Sequence, residues 1–568
     1  MKEMLKDIKN ISIYDIAIFL LYLCSGIVLT TAILFTVGLS IGWLNFLIPF
    51  LGVIVLFIYR EKDIRRLSWI IVLAMILFII TIAISSNVFD HTWDGAMYHK
   101  VATGFLKNGW NPLLLSANRY NEISRHNICA AQNSLQWTDC YPKGSWYFAG
   151  VIYYMTNNIE AGKAYTMIFM IVLFGFIYQY TSAGMKKKWK VIMISFLGAF
   201  NPIAVCQMQT YYNDGLAGCV LLSLIIQLLF LFDERYRKTE TYMNITALII
   251  IGCNLKFSVT LFTSIFCIIA FIILLKVNEK KKYGLRLFVY FAFSAFVAIM
   301  VVGCAPYITN LMRYGDILYG FSGLVQGGIG SDFGIDGLNG MCMALTSLLG
   351  RMGNVTYHSL NELLKLPFTF SPNELYYYLA PDARTGGMGI YFGGIFLVSI
   401  TIIIWWIVKE KENRKNLQTI TLILFIIATF LELLFLPGTY QIRYIPHFYI
   451  VFLVAFYILL QKQKVNKVRN AICMLLFCFA VANIFPWFMV SLNRIKEGAI
   501  YKAELMSLAN EKDDDLIIAF ERYDFGGYFY NLSDYGIEVY SFADKNDLKG
   551  DIKTIYGNSI IYTIEGNK

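Results

Sequence analysis

The sequence predicts an all-α polytopic membrane protein with about 13 transmembrane helices, large external loops and a small external α/β domain at its C-terminus. Of its 568 residues, 57% are hydrophobic and only 15% are charged, whereas about a quarter of the residues of a soluble domain are charged. The mean hydropathy is +0.57. Apolar runs of about 20 residues, the length at which a helix crosses a bilayer, recur along the chain. The net charge of +10 belongs to loops, where basic residues set orientation, so it indicates no nucleic-acid partner.

Two apolar runs and the basic turn after them form the predicted N-terminal unit, residues 1–66. The first ten residues carry lysines, so the positive-inside rule assigns them to the cytoplasm. Residues 11–36 then cross outward and residues 41–58 return. The turn 60–66 is basic and therefore cytoplasmic as well.

The next apolar run, residues 67–86, crosses outward again and leads into a long polar stretch, residues 87–145. This stretch is too long for a connector and too rich in Trp, Tyr and Asn for a disordered linker, so we expect an ordered external loop. Its cysteines, Cys129 and Cys140, would be able to pair if the loop faces an oxidising compartment.

Further spans alternate between basic inner turns and polar outer turns. They are residues 161–180, 191–207, 216–232, 285–305, 390–408, 417–436, 445–460 and 471–492. Residues 243–275 are too long for one span and have basic flanks, which predicts a hairpin with its tip at 254–258. Residues 306–387 form a second large external loop, the transmembrane core covers residues 67–493, and residues 494–568 form the external α/β domain. The N-terminus is therefore expected in the cytoplasm and the C-terminus outside.

The polar stretch that opens the first external loop, Asp90 to Lys100, is the candidate active site. It places carboxylates, imidazoles and aromatic rings at a membrane surface in a chain that is otherwise apolar. Asp94 is the candidate catalytic acid and would also be able to cap the helix that follows it, since capping does not exclude catalysis; Tyr98 would share its helix face and orient it. Asp90 and His99 would line the same pocket. A metal site is a weaker alternative, because the spacing of these residues matches no helical metal signature.

Other ionisable residues also fall on the external side, near the ends of spans. They are Asp214, which follows Asn213 in an outer turn, Lys256 at the hairpin tip, Arg384 in the second loop, and Arg443, which precedes Tyr444. The interiors of the spans are nearly empty of charge, with Glu432 the main exception, whereas transporters place ionisable residues within the bilayer. Carboxylates beside fixed cations suit a reaction in which a base takes a proton and a lipid phosphate departs.

These motifs resemble those of the GT-C superfamily of integral membrane glycosyltransferases, which includes protein O-mannosyltransferases and aminoarabinose transferases. The resemblance covers most of residues 67–492. The segments that carry it are Trp93-Asp94-Gly95-Ala96-Met97-Tyr98, Tyr141-Pro142-Lys143-Gly144-Ser145, Tyr211-Tyr212-Asn213-Asp214-Gly215, Asn254-Leu255-Lys256-Phe257 and Arg443-Tyr444-Ile445-Pro446. Many members carry a second acid directly after the catalytic one. Here Gly95 occupies that position and Asp90 lies upstream, which leaves both Asp90 and Asp94 as possible bases.

The resemblance implies an inverting transfer of a sugar from a polyprenyl-phosphate donor to an acceptor outside the cytoplasmic membrane, such as an envelope glycan, a lipid or a protein. Asp94 would be the base. The substrate-binding residues would be Tyr98, His99, Asp214, Asn213 and Asp90. The residues that bind the donor phosphate would be Lys256, Arg443, Arg384 and Tyr444. No cofactor is required for a monophosphate donor, whereas a pyrophosphate donor would favour a divalent cation.

Two other functions fit a protein with many spans. A polysaccharide polymerase or ligase of the cell envelope would centre its chemistry on arginine and histidine instead of Asp94. A transporter of lipid-linked sugars would need charged residues inside its spans.

Overall fold

The computed structural model describes the chain except for residues 1–10, 125–131, 278–280, 321–339, 354–359, 383–385, 387, 411–415, 437–440, 462–465, 511–515, 521, 523–524, 538, 540, 543, 550–551 and 565–568. Cys129 and Arg384 lie outside the described residues, so the predictions made for them remain predictions. The described chain is a bundle of helices followed by a small sheet, which confirms the predicted helical membrane fold with a C-terminal α/β domain.

Helices α1 to α7 form the first part of the bundle. Their bounds are α1 Ile13–Thr36, α2 Leu44–Arg60, α3 Ile64–Ser86, α4 Lys100–Lys107, α5 Ala117–Ile123, α6 Gln132–Cys140 and α7 Gly144–Thr156. A π-helical turn, Gly95–His99, directly precedes α4. A 3-10 turn, Ile159–Ala164, follows α7.

The middle of the chain continues the bundle. The helices are α8 Tyr165–Ser182, α9 Lys188–Ala199, α10 Pro202–Gln207, α11 Asp214–Phe230, α12 Thr239–Cys253, α13 Phe257–Val277, α14 Lys281–Phe296 and α15 Thr309–Tyr314. The predicted hairpin of residues 243–275 is present, because α12 and α13 meet at the short turn that contains Lys256.

The last part of the chain completes the bundle and adds the sheet. Its helices are α16 Gly340–Leu349, α17 Leu360–Leu363, α18 Pro372–Tyr376, α19 Phe392–Lys409, α20 Leu417–Phe435, α21 Ile450–Gln461, α22 Lys467–Asn510 and α23 Tyr528–Asp534. The strands are β1 Leu516–Phe520, β2 Ser541–Phe542, β3 Lys553–Ile555 and β4 Ile560–Ile564.

Among the described residues, eight helices are long and apolar enough to cross a membrane. They are Ile13–Thr36, Ile64–Ser86, Ile159–Ser182, Phe257–Lys276, Lys282–Val302, Phe392–Lys409, Leu417–Phe435 and Lys467–Asn510. Three shorter apolar helices accompany them: Leu44–Arg60, Asp214–Phe230 and Pro446–Gln461. The chain is therefore polytopic, but the predicted number of 13 spans is not confirmed.

One predicted span, residues 191–207, is broken into two helices near the candidate site. Asn201 caps the second helix, because its side chain accepts a hydrogen bond from the Ala204 amide at 3.0 Å. Pro202 follows at the first helical position, where its missing amide hydrogen costs nothing. The break places α10 against α11 and brings Gln207 to the start of α11.

Helix α22 runs from the bundle into the C-terminal domain. It has 44 residues with Pro486 inside it, and the predicted domain boundary at residue 494 lies within it. The sheet that follows has the order β2-β1-β4-β3, with β1 parallel to β2 and antiparallel to β4. The strand parallel to β1 is the two-residue β2.

The C-terminal domain packs directly on the first large loop, which the sequence predicts to be external. The Gly527 amide donates a hydrogen bond to the Ala96 carbonyl at 2.8 Å, within the π-helical turn. Ser559 contacts the His91 ring nitrogen at 3.3 Å. Tyr530 fills the space beside Gly104, where any Cβ would collide with its ring. The C-terminal domain therefore supports the candidate active-site stretch, Asp90 to Lys100.

A buried ion network joins the loop, the bundle and the C-terminal domain. Glu160 accepts hydrogen bonds from Lys100 at 2.6 Å and from Asn531 at 2.9 Å, and it forms a second ion pair with Lys163. Lys100 also donates to the Asp90 carbonyl at 2.8 Å. All of these residues are buried, so each charge depends on its partners for the solvation that water would otherwise provide.

We predict that Glu160→Ala destabilises the protein by about 3–5 kcal/mol, because it leaves Lys100 and Lys163 buried without a carboxylate. Thermal unfolding of the purified protein in detergent, followed by tryptophan fluorescence, measures the loss. The control is Glu122→Ala, which removes an exposed pair with Arg119 and should cost no more than about 1 kcal/mol. Equal stability of Glu160→Ala and the wild type would contradict a structural role for the network.

Candidate active site

The candidate base, Asp94, immediately precedes the π-helical turn Gly95–His99, and its side chain does not cap that turn. The cap is Thr92, whose hydroxyl accepts a hydrogen bond from the Gly95 amide at 3.2 Å. The possibility that Asp94 serves as an N-cap is therefore wrong. Its carboxylate instead forms a hydrogen bond with the Tyr98 hydroxyl, which donates.

Asp94 is partly exposed to solvent. The residue is half-buried, whereas Tyr98 is buried. Burial of the carboxylate raises the pKa of Asp94 to about 6, and the nearby Arg443 cation opposes that increase. Asp94 is thus ionised at neutral pH, yet it binds a proton more readily than an exposed aspartate does.

The other acid of the stretch, Asp90, is buried and hydrogen-bonded to backbone amides. It is 1% exposed and accepts hydrogen bonds from the amides of Tyr211 at 2.8 Å and Thr92 at 2.9 Å. Asp90 therefore ties the first loop to the outer turn that leads to Asp214. Its carboxylate also fills the space beside Gly95, where a Cβ would lie 2.2 Å from an Asp90 oxygen. A second acid directly after Asp94 would not fit at this position.

Asp214, the first residue of α11, contacts both of the cations that are expected to bind phosphate. Its carboxylate forms an ion pair with Lys256 and lies 3.5 Å from Arg443. Gln207 donates to the same carboxylate at 3.2 Å. Burial alone would lower the pKa of Lys256, but its pairing with Asp214 outweighs burial and raises that pKa above its usual value. Lys256 is therefore charged at neutral pH.

Arg443 also pairs with an acid, Asp382, that was not predicted as a site residue. Its guanidinium pairs with Asp382 at 2.7 Å and donates to the Tyr444 hydroxyl at 3.2 Å. The rings of Tyr212 and Tyr444 lie 5.1 Å and 4.8 Å from the guanidinium carbon. Asp382 precedes the selected Arg384 by two residues, but no pattern in the sequence distinguishes it from a loop acid.

His99 is buried beside the ring of Trp146. The Trp146 indole N–H donates to Nδ1 of His99 at 2.6 Å, so that nitrogen carries no proton. Burial, together with the charge of Lys256, lowers the pKa of His99 to about 3. The imidazole is therefore neutral at physiological pH and is unsuited to be the base of a reaction that runs near pH 7.

Asn213 is buried next to Asp214, and its side-chain nitrogen has no hydrogen-bond partner among the residues that the structure describes. Buried amide donors are nearly always satisfied, so an unpaired one is a position where a ligand or water would bind. The substrate-binding role of Asn213 stays a prediction.

The described residues thus bring most of the predicted site into one cluster. Asp94 is within electrostatic range of Lys256, Arg443 and Asp382, and Asp214 holds the two cations. The cluster contains three carboxylates and two cations. In the described part of the chain, no group of three or more His, Cys, Asp and Glu side chains is arranged to hold a metal ion.

Comparisons with known proteins give one structural likeness to report. No family model matches the chain, and no curated protein matches it. The crystal structure of ArnT from Cupriavidus metallidurans in the apo state is similar, with 10% sequence identity and a TM-score of 0.46. The match covers 84% of this chain and 86% of that chain.

We predict that Asp94 titrates with a pKa of about 6, because burial disfavours its ionised form. Infrared difference spectra of the purified protein, recorded between pH 4 and about pH 8, should show a protonated carboxyl band that disappears as the pH rises through this value. The band should lose amplitude in Asp94→Asn, and Asp534, whose pKa burial raises to about 7, should account for the remainder. The band should be unchanged in Asp233→Asn, which changes a partly exposed acid near the other end of α11. A band unchanged in Asp94→Asn would assign it to another residue.

Proposed function

We propose that the chain is a membrane glycosyltransferase that moves a sugar from a polyprenyl-phosphate donor to an acceptor outside the cytoplasm, with inversion at the anomeric carbon. The observation that carries the proposal is the placement of a half-buried carboxylate, Asp94, beside two cations, Lys256 and Arg443, at one end of a helical membrane bundle. The resemblance of the flanking motifs to GT-C enzymes supports the same assignment.

In the proposed reaction, Asp94 removes the proton of an acceptor hydroxyl. The acceptor oxygen forms a bond to the anomeric carbon while the bond between that carbon and the phosphate oxygen breaks, and the phosphate leaves with the electron pair. A pKa near 6 suits this role, because the carboxylate is ionised at neutral pH and still accepts a proton effectively. Tyr98, through its hydrogen bond, fixes the orientation of the carboxylate.

Lys256 and Arg443 would stabilise the negative charge that develops on the leaving phosphate. Arg443 presents a planar guanidinium able to bind two phosphate oxygens, and Lys256 adds a compact charge. In the free protein Asp214 and Asp382 occupy these cations. Donor binding therefore requires that the phosphate replaces at least one carboxylate contact. The contact with Asp382 is the more accessible one, because the Asp382 side chain is 19% exposed and that of Asp214 is 1% exposed.

Two cationic side chains are sufficient to neutralise a phosphate monoanion, so a monophosphate donor needs no metal. Asn213, Asp214 and His99 would contact the sugar or the acceptor, with Tyr444 and Arg384 beside the phosphate. A pyrophosphate donor would add charge, for which a divalent cation is the usual counterion.

We infer the orientation from the basic turns. The ends of α2, α8 and α11 opposite the site carry clusters of Lys and Arg, which the positive-inside rule assigns to the cytoplasm. The candidate site and the C-terminal domain would then face the outside of the cytoplasmic membrane, where the acceptor is located.

The transporter alternative rests on one buried pair within the bundle. Glu432 and His447 lie 2.8 Å apart, and both are buried. Intramembrane ionisable pairs mark transport pathways in many carriers. A polymerase or ligase centred on histidine is less well supported, because His99 is neutral and hydrogen-bonded to Trp146.

We predict that Asp94→Asn lowers sugar transfer by about 100-fold or more, the usual contribution of a general base. Cells that express the wild-type chain should contain an envelope glycan, lipid or protein heavier by one sugar in mass spectra, and cells with Asp94→Asn should not. The wild-type rate should fall about tenfold per pH unit below pH 6, because the ionised form is lost as Asp94 binds a proton. The Asp233→Asn control should keep full activity. Full activity of Asp94→Asn would refute the mechanism.

We predict that Arg443→Ala weakens binding of undecaprenyl phosphate by about 10- to 100-fold, because a charged hydrogen-bond donor is lost from the phosphate. Arg443→Lys should recover only part of the affinity, since an ammonium cannot bind two oxygens in one plane. Native mass spectrometry of the purified protein gives the bound fraction. The control is Arg119→Ala, an exposed arginine of the first loop. Affinity equal to that of the control would exclude Arg443 from the phosphate site.

A further inference from the structure

The end of the bundle opposite the candidate active site contains a cavity of about 540 Å³. Its walls come from three separate parts of the chain: the turn between α8 and α9, the end of α21, and the first turns of α22. This volume falls within the range of small-molecule binding sites. Helix α8 has 18 residues and is about 27 Å long, so the cavity is distinct from the site near Asp94.

The cavity concentrates positive charge. Lys186, Lys187, Lys190 and Arg469 line it, and its described lining residues include no Asp or Glu. Lys190 donates a hydrogen bond to the Leu460 carbonyl at 2.7 Å, which fixes its ammonium in the wall. Partial burial, together with the charges of Arg469 and Lys187, lowers the pKa of Lys190. Like charges held this close together favour an anionic ligand.

Some basic residues of other turns at the same end of the bundle pair with acids. Arg60 and Arg66 pair with Asp15 at 2.6 Å and 2.9 Å, and Arg235 pairs with Asp233 at 2.6 Å. Helix α9 also begins at this cavity without a side-chain cap, so its first amides add a partial positive charge.

The floor of the cavity is apolar. Met193, Leu459, Phe477 and Met474 line it, and Met474 is exposed on the outer face of α22. Trp189 stands at the rim and is exposed, as is typical of an indole at a membrane interface. A small soluble anion would gain nothing from this floor, whereas a lipid would place its phosphate among the cations and an acyl chain over Met474.

We propose that this cavity binds the phosphate headgroup of an anionic phospholipid from the leaflet at the basic end of the bundle. Basic pockets between helices at a cytoplasmic surface are a recurrent form of lipid recognition. The shared chemistry is a phosphate monoanion. The apolar floor favours a membrane lipid over free phosphate. The proposal is independent of the reaction at the opposite end of the bundle.

The test uses the full chain in detergent micelles and lipids that carry bromine on their acyl chains. Brominated phosphatidylglycerol should quench the fluorescence of Trp189 more strongly than brominated phosphatidylcholine, and Trp189→Phe should remove that difference. Lys187→Gln/Arg469→Gln should lower the apparent affinity for phosphatidylglycerol, measured from this quenching, about 10- to 30-fold. The matched control, Arg235→Gln/Lys238→Gln, loses the same charge at the same end and should behave like the wild type.

Each outcome decides the proposal. Equal quenching by the two lipids, or equal effects of the two double variants, would overturn it. Displacement of the lipid by inorganic phosphate at millimolar concentration would assign the site to a soluble anion and would also overturn it. If Lys187→Gln/Arg469→Gln does not fold, Lys186→Gln/Lys187→Gln provides the measurement, because both of these side chains are exposed.

Discussion

The buried carboxylate of Asp214 is the interaction on which the rest of the site depends. It holds Lys256 from the α12–α13 turn and Arg443 from the segment before α21, so three distant parts of the chain meet at one acid. A buried charge without such partners would be strongly destabilising. Helices α10, α11, α13 and α21 must therefore keep their relative positions for the site to exist. Gln207, made available by the break at Pro202, adds the remaining hydrogen bond.

The first external loop is held by a second set of buried polar contacts. Asp90 binds the Tyr211 amide and so joins the loop to the outer turn of α11. Glu160, Lys100 and Asn531 join the same loop to the bundle and to the C-terminal domain. The Gly527 amide reaches the π-helical turn itself. Asp94 is half-buried beside these contacts, so the fold fixes its backbone while the residue keeps some exposure to solvent.

Sequence reasoning predicted the helical membrane fold, which the structure confirms. It also selected Asp94, Asp214, Lys256 and Arg443, which lie in one cluster, because charges are rare and conspicuous in an apolar chain. It preferred Asp94 to Asp90 as the base, but only packing reveals that Asp90 is enclosed by backbone amides. It missed Asp382 and Gln207, whose partners are distant in sequence. It also placed a domain boundary within α22, because polar composition begins at the membrane surface while the helix continues to Asn510.

The charge balance of the site connects donor binding to the strength of the base. Three carboxylates and two cations leave the cluster with a net negative charge when Asp94 is ionised. In the proposed reaction a phosphate brings further negative charge, which disfavours the ionised form of Asp94 and raises its pKa beyond its value in the free protein. The carboxylate then binds a proton more strongly at the moment when the acceptor must lose one. Departure of the phosphate would restore the lower pKa and favour release of that proton to solvent.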